Sequence, residues 1–271
     1  MINAGAVWRA LLFAGRFLTR WPLPDPGMPS AAQLGPEMGR AALFYPLIGL
    51  LLGAALAGLA LLLQDAPTLA AAAVLLIFWV WSTGALHLDG LADCADAWVG
   101  GLGSRARTLE ILKDPRTGAM GVVALVLALL GKFAGSAALL EGAGIGAALV
   151  LAWLPALARA QLLLLALTTP YARADGMGAA MRSHLHRPTA WLVVLLSWGV
   201  AALLAVLAFG PLGLALPLLA LAVYWTWRRS LLQRLGGYTG DGAGALLELT
   251  ETLLLLGAAL LPAVAPEPLL R

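Results

Sequence analysis

The stretch His87-Leu88-Asp89-Gly90-Leu91-Ala92-Asp93-Cys94-Ala95-Asp96 brings three carboxylates together in a chain that is otherwise mostly apolar. On a helix, residues 89, 93 and 96 project at about 0°, 40° and −20°, so the three acids share one narrow face. Like charges that close repel one another and destabilise the helix that carries them. A divalent cation removes the repulsion, and Mg²⁺ or Mn²⁺, hard ions that prefer oxygen donors, suit such a cluster.

The surroundings of this stretch decide the fold class. Of the 271 residues 61% are hydrophobic and 11% charged, and the mean hydropathy is +0.89. Soluble domains carry about 25% charged residues, so the chain reads as an all-α, polytopic membrane protein. It forms one membrane domain, with an interfacial helix at 3–19 and a bundle over 41–265. The one cysteine, Cys94, excludes an internal disulfide framework and reads as a small packing residue. The first 20 residues lack a continuous apolar core with a small-residue cleavage site, so no cleavable leader is expected.

Residues 3–19 alternate apolar side chains with Arg9 and Arg16 at helical spacing, which predicts an amphipathic helix on the membrane surface. Residues 25–36, rich in Pro and Gly, read as a loop. Spans are predicted at about 41–63, 68–86, 119–140, 146–168, 189–209, 212–227 and 245–263. Gly49, Gly53 and Gly58 in the first could admit a close neighbour. Glu141-Gly142-Ala143-Gly144 and Gly210-Pro211 read as turns, and a short tail ends at Arg271. Arginine and lysine gather before the first span and in the polar segments 97–117, 169–188 and 228–244, while the turns between carry none. That alternation is the positive-inside pattern. It predicts seven spans with the N-terminus inside, and it puts the acidic stretch on the cytoplasmic side.

A second acidic group lies on the same side. Gly236-Gly237-Tyr238-Thr239-Gly240-Asp241-Gly242-Ala243-Gly244 precedes a helix, and its Gly237, Thr239 and Gly240 could cradle a phosphate at the helix start. Asp241 reads as a metal ligand or a helix cap. Glu248 and Glu251 follow, costly in a membrane unless they face a polar cavity or pair with an arginine. Lys132 and Arg159 lie inside spans and need anionic partners, either these acids or an anionic substrate. Arg116, after Asp114 and Pro115, could clamp a phosphate or merely mark topology, as could Arg173. His87 could serve as a general base, a metal ligand or a polar anchor; His184 and His186 are weaker candidates in a basic segment. Acidic clusters beside cations make metal-assisted phosphotransfer the natural chemistry.

Five segments carry a resemblance. Residues Phe17-Leu18-Thr19-Arg20-Trp21-Pro22-Leu23-Pro24, Phe44-Tyr45-Pro46-Leu47-Ile48-Gly49, Gly84 through Asp93, Leu109 through Gly118 and Gly236 through Asp241 occur in the order of the cobalamin synthase family, which they resemble. Its members are adenosylcobinamide-GDP ribazoletransferases. The resemblance implies that adenosylcobinamide-GDP and α-ribazole, or its 5′-phosphate, give adenosylcobalamin, or its 5′-phosphate, and GMP with Mg²⁺. A ribose hydroxyl attacks the phosphorus attached to cobinamide. On that reading Asp89, Asp93 and Asp96 hold Mg²⁺, joined by Asp241 and Glu248, with Asp89, Asp93, His87 and Asp241 as the catalytic set. Arg116, Lys132, Arg159 and Arg173 would neutralise phosphate, helped by Gly237, Thr239 and Gly240. The resemblance implies a bacterial inner membrane location with the site facing the cytoplasm and no nucleic-acid partner. It leaves room for homo-oligomers and for contact with other cobalamin-assembly enzymes. The acidic stretch is also similar to that of the CDP-alcohol phosphotransferases, but the Ala-Arg that follows Asp-Gly there is Leu91-Ala92 here. A phospholipid-type phosphotransferase and a secondary transporter with an acidic cation site stay open as alternatives.

Overall fold

A computed structural model describes residues 4–142, 145–173 and 176–262. The predicted tail to Arg271 and the Ala143-Gly144 part of one predicted turn lie outside the described residues. The described residues form helices joined by loops, and the one β-type feature among them is an isolated bridge between Tyr171 and Tyr238.

Helix α1 (Ala4–Leu18) fits the predicted amphipathic segment. Helix α2 (Ala31–Ala42) occupies residues expected to be loop and the start of the first span. It starts because Ser30 and Gln33 form a reciprocal capping box, which supplies partners to otherwise orphaned helix-start groups. Pro36 lies within it, and the buried Glu37 accepts from Arg9 at 3.2 Å and from Arg40 at 2.9 Å.

The apolar rods follow. Helix α3 (Tyr45–Leu62) packs on α8 (Ile145–Thr168) through glycines. A Cβ on Gly49 or Gly53 would collide with the Pro155 or Ala152 carbonyl of α8, whereas one on Gly58 would meet nothing within 4 Å. Two of the three glycines expected to admit a neighbour therefore do so. Helix α4 (Thr68–Thr83) ends at Gly84 in the left-handed conformation, Ala85 repeats it, and α5 (Leu86–Gly100) leaves at 87°. The acidic stretch is thus not the straight continuation of a span. The loop after α1 packs under the break: the Arg20 amide donates to the Ser82 carbonyl at 2.7 Å.

Helices α6 (Arg105–Ile111), α7 (Ala119–Gly142) and α9 (Met177–His184) complete the order with α10 (Arg187–Phe209), α11 (Ala215–Leu235) and α12 (Gly240–Ala259). By length and composition five described stretches could cross a membrane, or six with the bent α4–α5 pair counted as one. One of the five, residues 187–235, folds back on itself at the 3₁₀ turn Gly210–Leu214. Arg187 at its start donates to the Leu167 carbonyl and Arg228 near its end to the Thr168 carbonyl, so both ends meet the same end of α8. The sequence expectation of seven spans counted those two legs separately.

The segments 169–188 and 228–244 are more helical than expected. Arg182, Arg187 and Arg228 donate to the Ala166, Leu167, Thr168 and Thr169 carbonyls that end α8, where cations suit the helix dipole. Their basic residues therefore close a helix end, and the polar break before α12 shrinks to residues 236–239. Gly53→Val should lower stability by about 1–3 kcal/mol through overpacking, while Gly58→Val should leave it unchanged; thermal unfolding in detergent distinguishes them, and equal midpoints would refute the α3–α8 contact.

Candidate active site

Two helix starts meet at the centre of the acidic region. A Cβ on Gly90 would stand 2.8 Å from the Asp241 carbonyl oxygen, and one on Gly244 would stand 3.3 Å from the His87 backbone. Bare glycines on both helices let α5 and α12 touch along their first turns. The approach delivers Asp89 and Asp241 to one cavity of about 530 Å³. His87, Arg173, Gly240 and Tyr238 also line it, and Phe17, Leu18, Met38, Tyr45, Leu162 and Met181 form its apolar wall. Arg173 donates to Asp241 at 3.3 Å. Asp93 lies one turn beyond Asp89, half-buried, and feels the charges of Asp89, Asp241 and Asp96. Four carboxylates from two helices thus form one acidic region.

Of the two roles open to the buried cations, pairing with the acids is the one the structure shows. Lys132 pairs with Glu248 at 2.7 Å and with Glu251 at 2.6 Å, and Arg159 pairs with Glu251 at 2.7 Å. All four side chains are at most 3% exposed, and the Lys132 ammonium also sits 4.6 Å from the centre of the Trp79 ring. Here the expectation of Lys132 and Arg159 as phosphate contacts and of Glu248 as a metal ligand is corrected. Two cations and two anions neutralise one another, because an unpaired charge in an apolar interior costs far more than a paired one.

Two further expected residues are engaged elsewhere. The Asp96 carboxylate accepts the Gly118 and Gly121 amides at 2.6 and 2.9 Å and so caps the start of α7, where a helix N-terminus favours an anion. Asp96 does not line the cavity. Arg116 grips Asp114 through two bonds of 2.9 and 2.7 Å, lies outside the cavity, and is 86% exposed. Its guanidinium holds the Asp114 carboxyl down at about 2, so the pair is formed at neutral pH.

The glycine-rich segment is a strap rather than an open phosphate cradle. Tyr238 donates its amide to Pro170 at 2.9 Å and accepts from Ala172 at 2.8 Å. Gly237 is required because a Cβ there would stand 2.5 Å from the Pro170 carbonyl. Thr239 caps α12 by accepting from the Gly242 amide at 3.1 Å. Of the three residues expected to cradle phosphate, only Gly240 lines the cavity. His184 packs on Gly35 and Gly39, and His186 caps α10. Cys94 is buried, as expected of a packing residue.

Composition alone did not point to the apolar wall. Tyr45, Met38, Met181 and Leu162 come from four helices, and in sequence each is one more apolar residue among many. Among the described residues, no group of three or more His, Cys, Asp and Glu is gathered as a ligand set for an ion.

The chain is similar in sequence to a known family of enzymes. A sequence model of the cobalamin-5-phosphate synthase family matches residues 10–259. An adenosylcobinamide-GDP ribazoletransferase of Pseudomonas paraeruginosa is 54% identical over 93% of this chain and 98% of its own length. Proteins of the same name from Stutzerimonas stutzeri and Pseudomonas fluorescens are 51% and 50% identical, over 92% and 94% of this chain and 97% and 98% of theirs. No solved structure matches.

Glu251→Gln should strip Lys132 and Arg159 of a shared anion and cost about 3–5 kcal/mol, read as a lower thermal midpoint in detergent. Arg116→Gln should leave that midpoint in place, and equal behaviour of the two variants would contradict the buried cluster. With a match that spans nearly the whole chain and relatives of 50–54% identity over almost their full length, the chain belongs to the cobalamin-5-phosphate synthase family.

Proposed function

We propose that this membrane protein transfers α-ribazole, or its 5′-phosphate, onto adenosylcobinamide-GDP with release of GMP. The observation that carries the reading is the meeting of Asp89 and Asp241, from two helix starts, at one cavity that also holds Arg173 and His87. Family membership supports it, as do the names of the relatives.

The donor set fits a magnesium ion shared with substrate. Mg²⁺ takes one or two carboxylates and completes its shell with water and phosphate oxygens, and Asp89 and Asp241 offer hard oxygens without a closed protein cage. When bound, the ion supplies charge neutralisation at the pyrophosphate. Asp93 reinforces the field that draws it in. Arg173 exchanges Asp241 for a phosphate oxygen and steadies the charge that grows on the leaving phosphate. His87 is buried and lines the cavity, and its Nδ1 has no hydrogen-bond partner. It or a carboxylate of the same cavity takes the proton of the attacking ribose hydroxyl. That oxygen forms a bond to the phosphorus attached to cobinamide, and the bond from that phosphorus to the bridging oxygen of GMP breaks.

Residues of the basic segments 169–188 and 228–244 line the cavity, which supports catalysis at the cytoplasmic face of the inner membrane. The apolar bundle around it keeps bulk water away and strengthens each charge interaction.

The test is GMP release by the purified protein in liposomes, with adenosylcobinamide-GDP, α-ribazole and varied Mg²⁺. Wild type should turn over, and Asp89→Asn and Asp241→Asn should each be slower by about 100-fold or more. Lack of GMP release by wild type, or normal rates in both variants, would refute the assignment.

A further inference from the structure

Away from the acidic cavity, α4 leaves an apolar groove open on the outside of the bundle. Leu76, Ile77, Val80, Trp81 and Gly84 follow at helical spacing along one stripe of α4, and Leu129 of α7 lies opposite, around about 470 Å³ of space. Leu76 and Gly84 are eight residues apart, so the groove runs for about 12 Å along the helix. Ile77 and Trp81 are 60% and 76% exposed, as side chains that meet lipid would be.

The Gly84 end of this groove carries a charge. There α4 stops, and α5 turns away by 87° with Asp89, Asp93 and Asp96 on it. Such charges need water, so Gly84 marks the level of the membrane surface, and Trp81, just below it, sits where tryptophan is favoured. Arg20 lies across this end. Its amide donates to the Ser82 carbonyl at 2.7 Å, and a Cβ on Gly84 would strike its Cγ, Cδ and Nε. Arg20 is exposed, and among the described residues its guanidinium has neither an ion pair nor a hydrogen bond. Arg16, one turn earlier, is already engaged with the Leu23 carbonyl at 3.0 Å.

We infer that the groove binds an anionic phospholipid, with one acyl chain along α4 over Ile77 and Trp81 and the headgroup phosphate on the Arg20 guanidinium. An acyl chain alone has no reason to choose this groove over the rest of an apolar surface. A free cation at the end of the groove, at headgroup level, supplies the choice, because guanidinium and phosphate pair strongly. The bound lipid joins the loop after α1 to α4 beside the Gly84–Ala85 break, and so steadies the bend that aims α5.

The test uses the purified, delipidated protein in detergent, with phosphatidylglycerol and the net-neutral phosphatidylcholine of the same chains. Native mass spectrometry reads the first lipid bound, and the thermal midpoint reads its stabilisation. Wild type should hold phosphatidylglycerol about 3- to 10-fold more tightly, the worth of one cation at a headgroup, and its midpoint should rise. Arg20→Gln should bind the two lipids alike. Ile77→Trp, which fills the groove from an exposed position, should weaken phosphatidylglycerol by about 3-fold or more. Arg116→Gln, which removes an exposed cation outside the groove, should keep the preference of wild type. Inorganic phosphate, which has the charge without the chain, should leave the wild-type midpoint in place. Equal binding of the two lipids by wild type, full retention of the preference in Arg20→Gln, or unweakened binding in Ile77→Trp would overturn the site. So would an equal loss of preference in Arg116→Gln, or a midpoint rise with inorganic phosphate as large as that with phosphatidylglycerol.

Discussion

The buried charge cluster of Lys132, Glu248, Glu251 and Arg159 fixes the rest of the architecture. It ties α12 to α7 and α8 at once, through contacts of 2.6–2.7 Å. Four charges in an apolar bundle are tolerable only when every one is answered, so the register of the three helices admits little slip. That register sets where the start of α12 stands. Asp241, two to three turns before the cluster on the same helix, is placed by it.

The second constraint is steric. With α12 held, α5 reaches it only because Gly90 and Gly244 offer no side chains at the crossing. The break at Gly84 and Ala85 turns α5 across the bundle, so that its first turn meets α12 and its last turns meet α11. Trp98 donates to Ser230 at 2.7 Å and stacks on Trp227, which in turn donates to the Gly242 carbonyl at 2.7 Å. Asp96 fastens the same helix to the start of α7. The acidic stretch is held at three points, and this lets like charges be kept close while Asp89 still faces the cavity.

Much of this was legible from the chain alone, and the misses share a cause. Apolar run length marked most of the rods. For Lys132 and Arg159 the sequence left two answers, structural pairs or substrate contacts, and the structure takes the first because Glu248 and Glu251 follow on the right face of α12. The pairing of Asp89 with Asp241 was visible only as two acidic groups on one membrane side. What sequence did not reveal depends on contacts between distant residues. Ala85 is left-handed without being glycine, and local propensity carries no signal for that. Helix α2 runs through Pro36, where a loop was expected, and its Glu37 is answered across the fold by Arg9 of α1. The strap at Tyr238 uses amides that a glycine-rich reading assigned to phosphate.

The central claim is that two helix starts share one ion completed by substrate. Binding of Mn²⁺, followed by its electron paramagnetic resonance signal in the purified protein with adenosylcobinamide-GDP and no nucleoside, tests it directly. The account predicts an ion whose tight binding requires the GDP substrate and is lost alike in Asp89→Asn and in Asp241→Asn. Mn²⁺ held equally well without the substrate, or held normally when either aspartate is replaced, would contradict it.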